Sequence, residues 1–153
     1  MESNVTLIEI SDFECGHCRE NQELMKFLFN KYKNDVKFGY INYSSYASIS
    51  ALTSLAAAKQ NKFWEMHDVL FNAGNLMSIN EVYKLADSLN LDLRKFKSDI
   101  GSPRLLNDLE LSFESIRKLG VDATPSIIIN GQLVYDSYSK EEIERVIIEE
   151  LNK

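Results

Sequence analysis

Cys15 and Cys18 are the only two cysteines of this 153-residue chain, and Gly16 and His17 separate them. Residues three apart in a first helical turn share a face, with Cβ atoms about 5–6 Å apart. A disulfide needs Cα atoms about 4.4–6.8 Å apart, so this pair can bridge without moving the backbone. The residues before the pair read as a strand and those after it as a helix, which puts Cys15 at a helix start. Free N–H groups and the positive end of the aligned peptide dipoles favour a thiolate there, and a protonated His17 adds a second positive influence. The bridged state is then the oxidising one, and Cys18, one turn in, is expected to be the buried resolving thiol. The pair could also be a structural disulfide, half a zinc site or two inert thiols. Zinc commonly takes four ligands, often from a second Cys or His pair at short spacing. Only His17 and His67 are on offer, far apart in the chain.

Two further features are chemically suggestive. Glu9 interrupts the apolar run Leu7-Ile8-Glu9-Ile10 just ahead of the cysteines; it is either a charge on a solvated strand face or a buried acid. Thr124-Pro125 precedes a β-branched segment. Only about 5–6% of Xaa-Pro bonds are cis, so taken alone this proline reads as a trans residue opening an edge strand. His67 sits among Phe63, Trp64 and Phe71 and reads as packing or lid surface, not a ligand. Tyr43, Tyr46 and Tyr138 are candidates to line a peptide groove.

The elements that must position these residues are legible in the patterning. Val5–Phe13 reads as a strand covered on both faces. Cys15 to about Tyr32 reads as a helix with Leu24, Phe27, Leu28 and Tyr32 as its buried stripe. Val36–Tyr43 is a second strand, so the chain opens on a βαβ unit with parallel strands. The middle is helical: Ile49–Asn61, Phe63–Phe71, Val82–Leu89 behind a Ser78/Glu81 capping box, and about Asp92–Ile100. Ser102 and Pro103 then open Arg104–Leu119, which Gly120 ends. Ser126–Ile129, the hairpin signal Asn130-Gly131 and Gln132–Tyr135 follow. Ser139 and Glu142 form a second capping box before Lys140 to about Leu151, whose buried stripe is Ile143, Val146, Ile147 and Leu151. The expected fold is α/β, with residues 1–47 and 120–153 as one core (βαβ…ββα) and residues 48–119 as a helical insertion.

Composition narrows the function classes. Seventeen Lys and Arg against 23 Asp and Glu give a net charge of −6. No clustered basic face emerges of the kind nucleic-acid binding needs. The longest unbroken apolar run is Leu55–Ala58, far short of the ~20 residues of a spanning helix. Eight Phe, seven Tyr and one Trp supply bulk for a core, so no metal or disulfide staple is required for folding. Met1 and Glu2 lead almost directly into the first strand with no signal-peptide pattern. The expectation is therefore either a cytosolic protein or one whose leader has been removed.

The segments Asp12–Cys18 (DFECGHC), Phe63–Phe71 (FWEMHDVLF) and Gly120–Val134 (GVDATPSIIINGQLV) together resemble the DsbA-like thiol-disulfide oxidoreductases of the thioredoxin superfamily. The resemblance runs from about Val5 to Leu151, includes the helical insertion, and is greatest to the monomeric BdbD-type branch. It implies a thioredoxin-like core and an extracytoplasmic enzyme (periplasmic, cell-surface or secreted) that introduces disulfides into cysteine-containing proteins or peptides. Isomerase or reductase activity is the nearest alternative, and a metal-binding or holdase module a more distant one. Cys15 and Cys18 would be the redox pair, with no diffusible cofactor and no metal. His17 would tune Cys15. Thr124 and Pro125 would form the cis-proline loop that pairs with substrate. Glu9 would occupy the family's buried acidic position, which often pairs with a lysine on the next strand; here that stretch reads Phe38-Gly39-Tyr40, with Lys37 only adjacent. Reoxidation would come from a membrane quinone-linked partner. Dimeric isomerases that resemble the family carry an N-terminal dimerisation domain, for which this chain has no room, so a monomer is expected.

Overall fold

The computed structural model describes residues 3–44, 48–74 and 78–153. The chain divides into two compact units, 1–43 with 121–153, and 44–120. The first unit holds a four-stranded sheet in the order β2-β1-β3-β4. Strand β1 (Val5–Ser11) lies parallel to β2 (Val36–Asn42), with Glu9 opposite Tyr40 and Ser11 opposite Asn42. Strand β3 (Ser126–Ile129) runs antiparallel to β1, with Ile127 opposite Glu9. It turns into β4 (Gln132–Leu133). The turn residues Asn130 and Gly131 have φ of 47° and 83°, the paired positive values of a hairpin whose twist suits the strands. Strand β4 is shorter than the sequence pattern suggests; Val134 still donates its N–H to the Ile127 carbonyl at 2.8 Å, and Tyr135 beyond it lies open to solvent.

Helices α1 (Gly16–Glu20) and α2 (Gln22–Tyr32) take the place of the single helix expected over Cys15–Tyr32. The interruption is one residue, Asn21, and backbone hydrogen bonds still reach across it, from Asn21 N to His17 O at 3.0 Å and from Met25 N to Asn21 O at 3.1 Å. At the break Gln22 donates its side-chain amide to the Cys18 carbonyl at 3.3 Å. The buried stripe of α2 is Gln22, Met25, Leu28 and Tyr32. Phe27, expected inside, is 37% exposed; its ring lies beneath the ammonium groups of Lys31 and Lys140, at 5.7 and 3.9 Å.

Helix α8 (Lys140–Leu151) packs beside α2 on the same sheet face. Val5 and Leu7 of β1, Ile127 and Ile129 of β3, Met25 and Leu28 of α2, and Ile143 and Ile147 of α8 share one buried cluster. Tyr32 donates its hydroxyl to Glu144 at 2.8 Å, tying the two helices together. Only half of the expected capping box forms: Ser139 Oγ accepts from Glu142 N, while the Glu142 carboxylate turns to Arg145 at 2.8 Å. Leu151, in the last turn, is exposed and not part of the stripe.

The second unit is helical: α3 (Ile49–Ala58), α4 (Phe63–Ala73), α5 (Ile79–Ser88), α6 (Leu93–Ile100) and α7 (Pro103–Lys118). The other four helices all pack on α3, whose short Ala, Ser and Thr side chains allow close approach. Ser78 and Glu81 form a complete capping box, Asp92 caps α6 through Arg94 N and Lys95 N, and Pro103 occupies the first turn of α7. Gly120 follows α7 with φ of 86°, a left-handed conformation suited to glycine. Among the described residues no helix is long and apolar enough to cross a membrane.

Candidate active site

The loop between β1 and α1 is built by Asp12. Its carboxylate accepts from Glu14 N at 2.9 Å and its carbonyl from Cys15 N at 3.1 Å, so the chain turns at once from strand to helix. Cys15 is the N-cap of α1, with extended backbone (φ −83°, ψ 121°), and its sulfur accepts from Cys18 N at 3.2 Å. Both cysteines are free; Cys15 is half-buried and Cys18 wholly buried.

The Thr124–Pro125 peptide is cis, as the resemblance implies. Thr124 faces Cys15: its hydroxyl donates to Cys15 Sγ at 3.5 Å, and the Cys15 thiol reaches the Thr124 carbonyl at 3.9 Å. Two donors, Cys18 N–H and Thr124 O–H, thus converge on one half-exposed sulfur, and both bonds strengthen when the acceptor carries charge. A second chain of bonds ties this loop to the cysteine-bearing helix. Asn21 donates to the Ser137 carbonyl at 3.2 Å, and the Ser137 hydroxyl donates to the Pro125 carbonyl at 2.7 Å. Asn21 and Ser137 are buried, so neither bond is exchanged freely with water.

Cys18 lies in a different environment. Burial is the main cause that pushes its thiol up to about 12, and its bond with Cys15 adds to this. Beneath it, Glu9 is 3% exposed, so the solvated-face reading of that residue does not hold. Desolvation raises its carboxyl from 4.5 to about 7, against the lowering effect of Gln22, which donates to Glu9 Oε1 at 2.8 Å. Lys37 does not serve as a partner: it pairs with Thr6 in the strand register and is exposed, whereas Tyr40 lies opposite Glu9. Burial first and the Glu9 charge second push the Tyr40 phenol well above its ordinary range, and its ring stacks on Phe13 at 5.2 Å between centroids.

His17 faces solvent, with its imidazole 3.5 Å from Glu20 and its ring edge-on to Tyr138 at 6.4 Å. Tyr138, half exposed, has its phenol raised first by partial burial and then by the nearby Cys15 and Cys18 sulfurs. Tyr43 donates to the Val121 carbonyl at 3.3 Å, and Tyr46 lies outside the described residues. His67 is buried in α4 against Phe63, Trp64 and Phe71, with Nδ1 3.0 Å from the Asp68 carboxylate. Among the described residues no three His, Cys, Asp or Glu side chains gather as a metal site.

Sequence reasoning missed Gln22, Ser11, Asn21 and Ser137. Spacing holds a signal for the first two, because Gln22 lies one helical turn after Cys18 and Ser11 lies two residues after Glu9 on the same strand face. Asn21 and Ser137 meet only through the tertiary fold.

A family model described as thioredoxin matches residues 1–149. The Na(+)/H(+) antiporter NhaA 3 of Salinispora tropica is 26% identical over 152 residues, which cover 96% of this chain and 23% of that protein. The chain thus spans about a quarter of the length of such curated relatives. Disulfide bond formation protein D of Bacillus subtilis is 24% identical over 167 residues, covering 98% of this chain and 74% of that protein. The crystal structure of oxidised BdbD from Bacillus subtilis superposes with a TM-score of 0.87 at 23% identity, over 99% of this chain and 90% of that one.

Proposed function

The chain belongs to the thioredoxin family, and from that premise we propose that it is a thiol-disulfide oxidoreductase whose Cys15–Cys18 pair oxidises dithiols in exported proteins. The fold is the thioredoxin-like one of the DsbA and BdbD structures. The observation that carries the reading is the asymmetry of the two sulfurs. Cys15 is half-exposed and faced by two donors, while Cys18 is buried and held as a neutral thiol one turn away. Similarity to a disulfide bond formation protein favours the oxidising direction.

In the proposed reaction a substrate thiolate attacks Cys15 Sγ of the enzyme disulfide. The S–S electron pair leaves on Cys18, which takes a proton. The second substrate thiol loses its proton and attacks the substrate sulfur of the mixed disulfide, expelling Cys15 as the leaving thiolate. Two electrons and two protons pass from the substrate dithiol, which becomes a disulfide. Glu9, whose carboxyl burial raises to about 7, supplies the proton to Cys18. The backbone of Thr124, ahead of Pro125, offers an edge on which an extended substrate segment pairs in strand fashion. His17, at the open side of the pair, meets substrate and solvent. The pair itself is the redox centre, without a diffusible cofactor. The protein acts as a monomer outside the cytoplasm and is reoxidised by a quinone-linked membrane partner.

The test incubates the oxidised protein with a reduced dithiol peptide and equilibrates it against glutathione. The expected potential lies on the oxidising side of the value of about −270 mV known for thioredoxin. Cys18→Ser should accumulate mixed disulfides on non-reducing gels and Cys15→Ser should not. A potential at or below that of thioredoxin would refute the oxidase direction; equal adducts with Cys15→Ser would refute the order of attack.

A further inference from the structure

Glu9 and Ser11 project from the same face of β1, two residues apart, and Cys18 and Gln22 from the same face of the α1–α2 helix, four apart. The bond from Gln22 to Glu9 at 2.8 Å fixes how these faces meet. With the helix returning antiparallel to the strand, one step along β1 from Glu9 and one turn back from Gln22 bring Ser11 beneath Cys18. Ser11 is wholly buried, and its hydroxyl settles into good hydrogen-bond geometry with no single group among the described residues. Yet it bears on three surrounding groups, favouring the ionised forms of Glu9, Cys18 and Tyr40 alike. A hydroxyl amid a carboxyl, a thiol and a phenol, kept in the core without a static partner, costs stability, and its retention there calls for a role.

We propose that Ser11 is the proton relay between Glu9 and Cys18. This rests on the oxidoreductase reading and adds the route by which its proton moves. As the Cys15–Cys18 bond breaks, the electron pair stays on Cys18 Sγ, which takes the Ser11 hydroxyl proton. Ser11 Oγ takes the carboxyl proton of Glu9, which is left as carboxylate and regains a proton from solvent after turnover. Charge never rests on Ser11. Glu9 and Cys18 are each bonded by Gln22 and not to one another, and Ser11 is the hydroxyl that acts on both. The groups acting on Glu9 are Gln22 on α2 and Ser11 on its own strand, with Tyr40 opposite on β2 and the apolar Ile127 opposite on β3; Cys18 and Asp12 act on the same Tyr40 phenol.

The experiment follows single-turnover reduction of the oxidised full-length protein by dithiothreitol, quenched by a thiol-specific mass tag, from pH 5 to 9. Rates are divided by the reductant's thiolate fraction. In the wild type the corrected rate should be level at low pH and fall above about pH 7 as Glu9 loses its proton. General acid catalysis is worth roughly 10²–10⁴-fold, and Ser11→Ala is expected to lose roughly 10- to 100-fold of it and the break with it. Ser11→Thr, which keeps the hydroxyl, should retain the break. Ser11→Ala should add nothing in a Glu9→Gln background, since the two act in one path. A Ser11→Ala protein with the wild-type rate and break, or an additive double variant, overturns the relay while the oxidoreductase reading stands. A wild-type pair that dithiothreitol and glutathione cannot cycle overturns that reading itself.

Discussion

Glu9→Gln should make the reduced protein more stable at alkaline pH and leave it nearly unchanged at acid pH. Burial raises the Glu9 carboxyl from 4.5 to about 7 in the folded chain, while in the unfolded chain it titrates in the ordinary range. Between those two values the unfolded state has released its proton and the native state still holds it, so the unfolded state binds fewer protons and stability falls as pH rises. The contribution is fully present below 4.5 and lost by the time pH has passed about 7. At about 1.4 kcal/mol for each tenfold change, the wild type forfeits about 3 kcal/mol over that window. Glutamine has the same shape and no charge, and its carbonyl can still accept from Gln22. It should therefore escape the loss. For a chain of this length a gain of that size is roughly 6–12 °C in melting temperature at pH 8.

The assay is denaturant unfolding of wild type and Glu9→Gln, both reduced, at half-unit steps from pH 4 to pH 9, with the difference plotted against pH. Other groups titrate alike in both proteins and cancel. The difference should be near zero at pH 4, climb between 4.5 and about 7, and level off above. A flat difference, or a variant less stable than wild type at pH 8, would refute the placement of an ionisable carboxyl in a dry site. Function should move the opposite way: the stabilised variant loses its proton donor and turns over more slowly, a trade of stability against activity expected at reactive sites.

Two further outcomes follow from the same geometry. Iodoacetamide at pH 7 should label Cys15 alone in the reduced protein, because a Cys18 thiol pushed up to about 12 leaves roughly one molecule in 10⁵ as thiolate; peptide mapping by mass spectrometry reads this, and equal labelling would refute the asymmetry. Ser137→Ala removes the donor that holds the Pro125 carbonyl at 2.7 Å in a buried setting, and should cost about 1–3 kcal/mol together with slower peptide oxidation; an unfolding curve within 0.5 kcal/mol of wild type, a margin of the order seen at neutral surface sites, would show that the loop stands without this strap.

Punctuation by short-range chemistry was the legible part of the sequence. Asn130-Gly131 needs positive φ at both residues, Ser78/Glu81 closes its own box, and Pro103 and Gly120 mark the two ends of α7; each signal is complete within a few residues. Cys15 and Cys18 are legible for the same reason. What escaped depends on partners far away in sequence. The expected helix stripe holds at Leu28 and Tyr32, with Leu24 partly buried beside them, and fails at Phe27: the buried side is Cys18, Gln22, Met25, Leu28 and Tyr32, and an amide in that series hides the register. The second capping box failed in half because Arg145, one turn on, competes for Glu142. Nothing local ties Asn21 to Ser137, since that bond exists only once β3 and α8 are in place.

The polar start of that same buried stripe explains why the site lies where it does. Along the buried face of β1 the residues are Val5, Leu7, Glu9 and Ser11, and along that of β2 they are Val36, Phe38, Tyr40 and Asn42. Both strands change from apolar to polar halfway, at the same level, because parallel pairing keeps Glu9 beside Tyr40 and Ser11 beside Asn42. The helix changes in the opposite direction, from Cys18 and Gln22 at its start to Met25, Leu28 and Tyr32 further on. Leu7 to Ser11 spans about 13 Å of strand, and Cys18 to Leu28 about 15 Å of helix, so the two gradients match when strand and helix run antiparallel. Apolar ends then meet apolar ends in the core shared with Ile127, Ile143 and Ile147, and polar ends meet beneath the cysteines. A polar pocket inside a sheet–helix interface would ordinarily weaken it. Here it is confined to one end, where the strands finish and the chain must turn anyway, so the apolar half supplies the adhesion and the polar half is free to hold a thiol, a carboxyl and a proton path. Shifting the strand gradient by one residue would move every side chain of β1 to the other face, which is why the chemistry of Cys18 and Glu9 depends on the register of β1 as much as on the residues themselves.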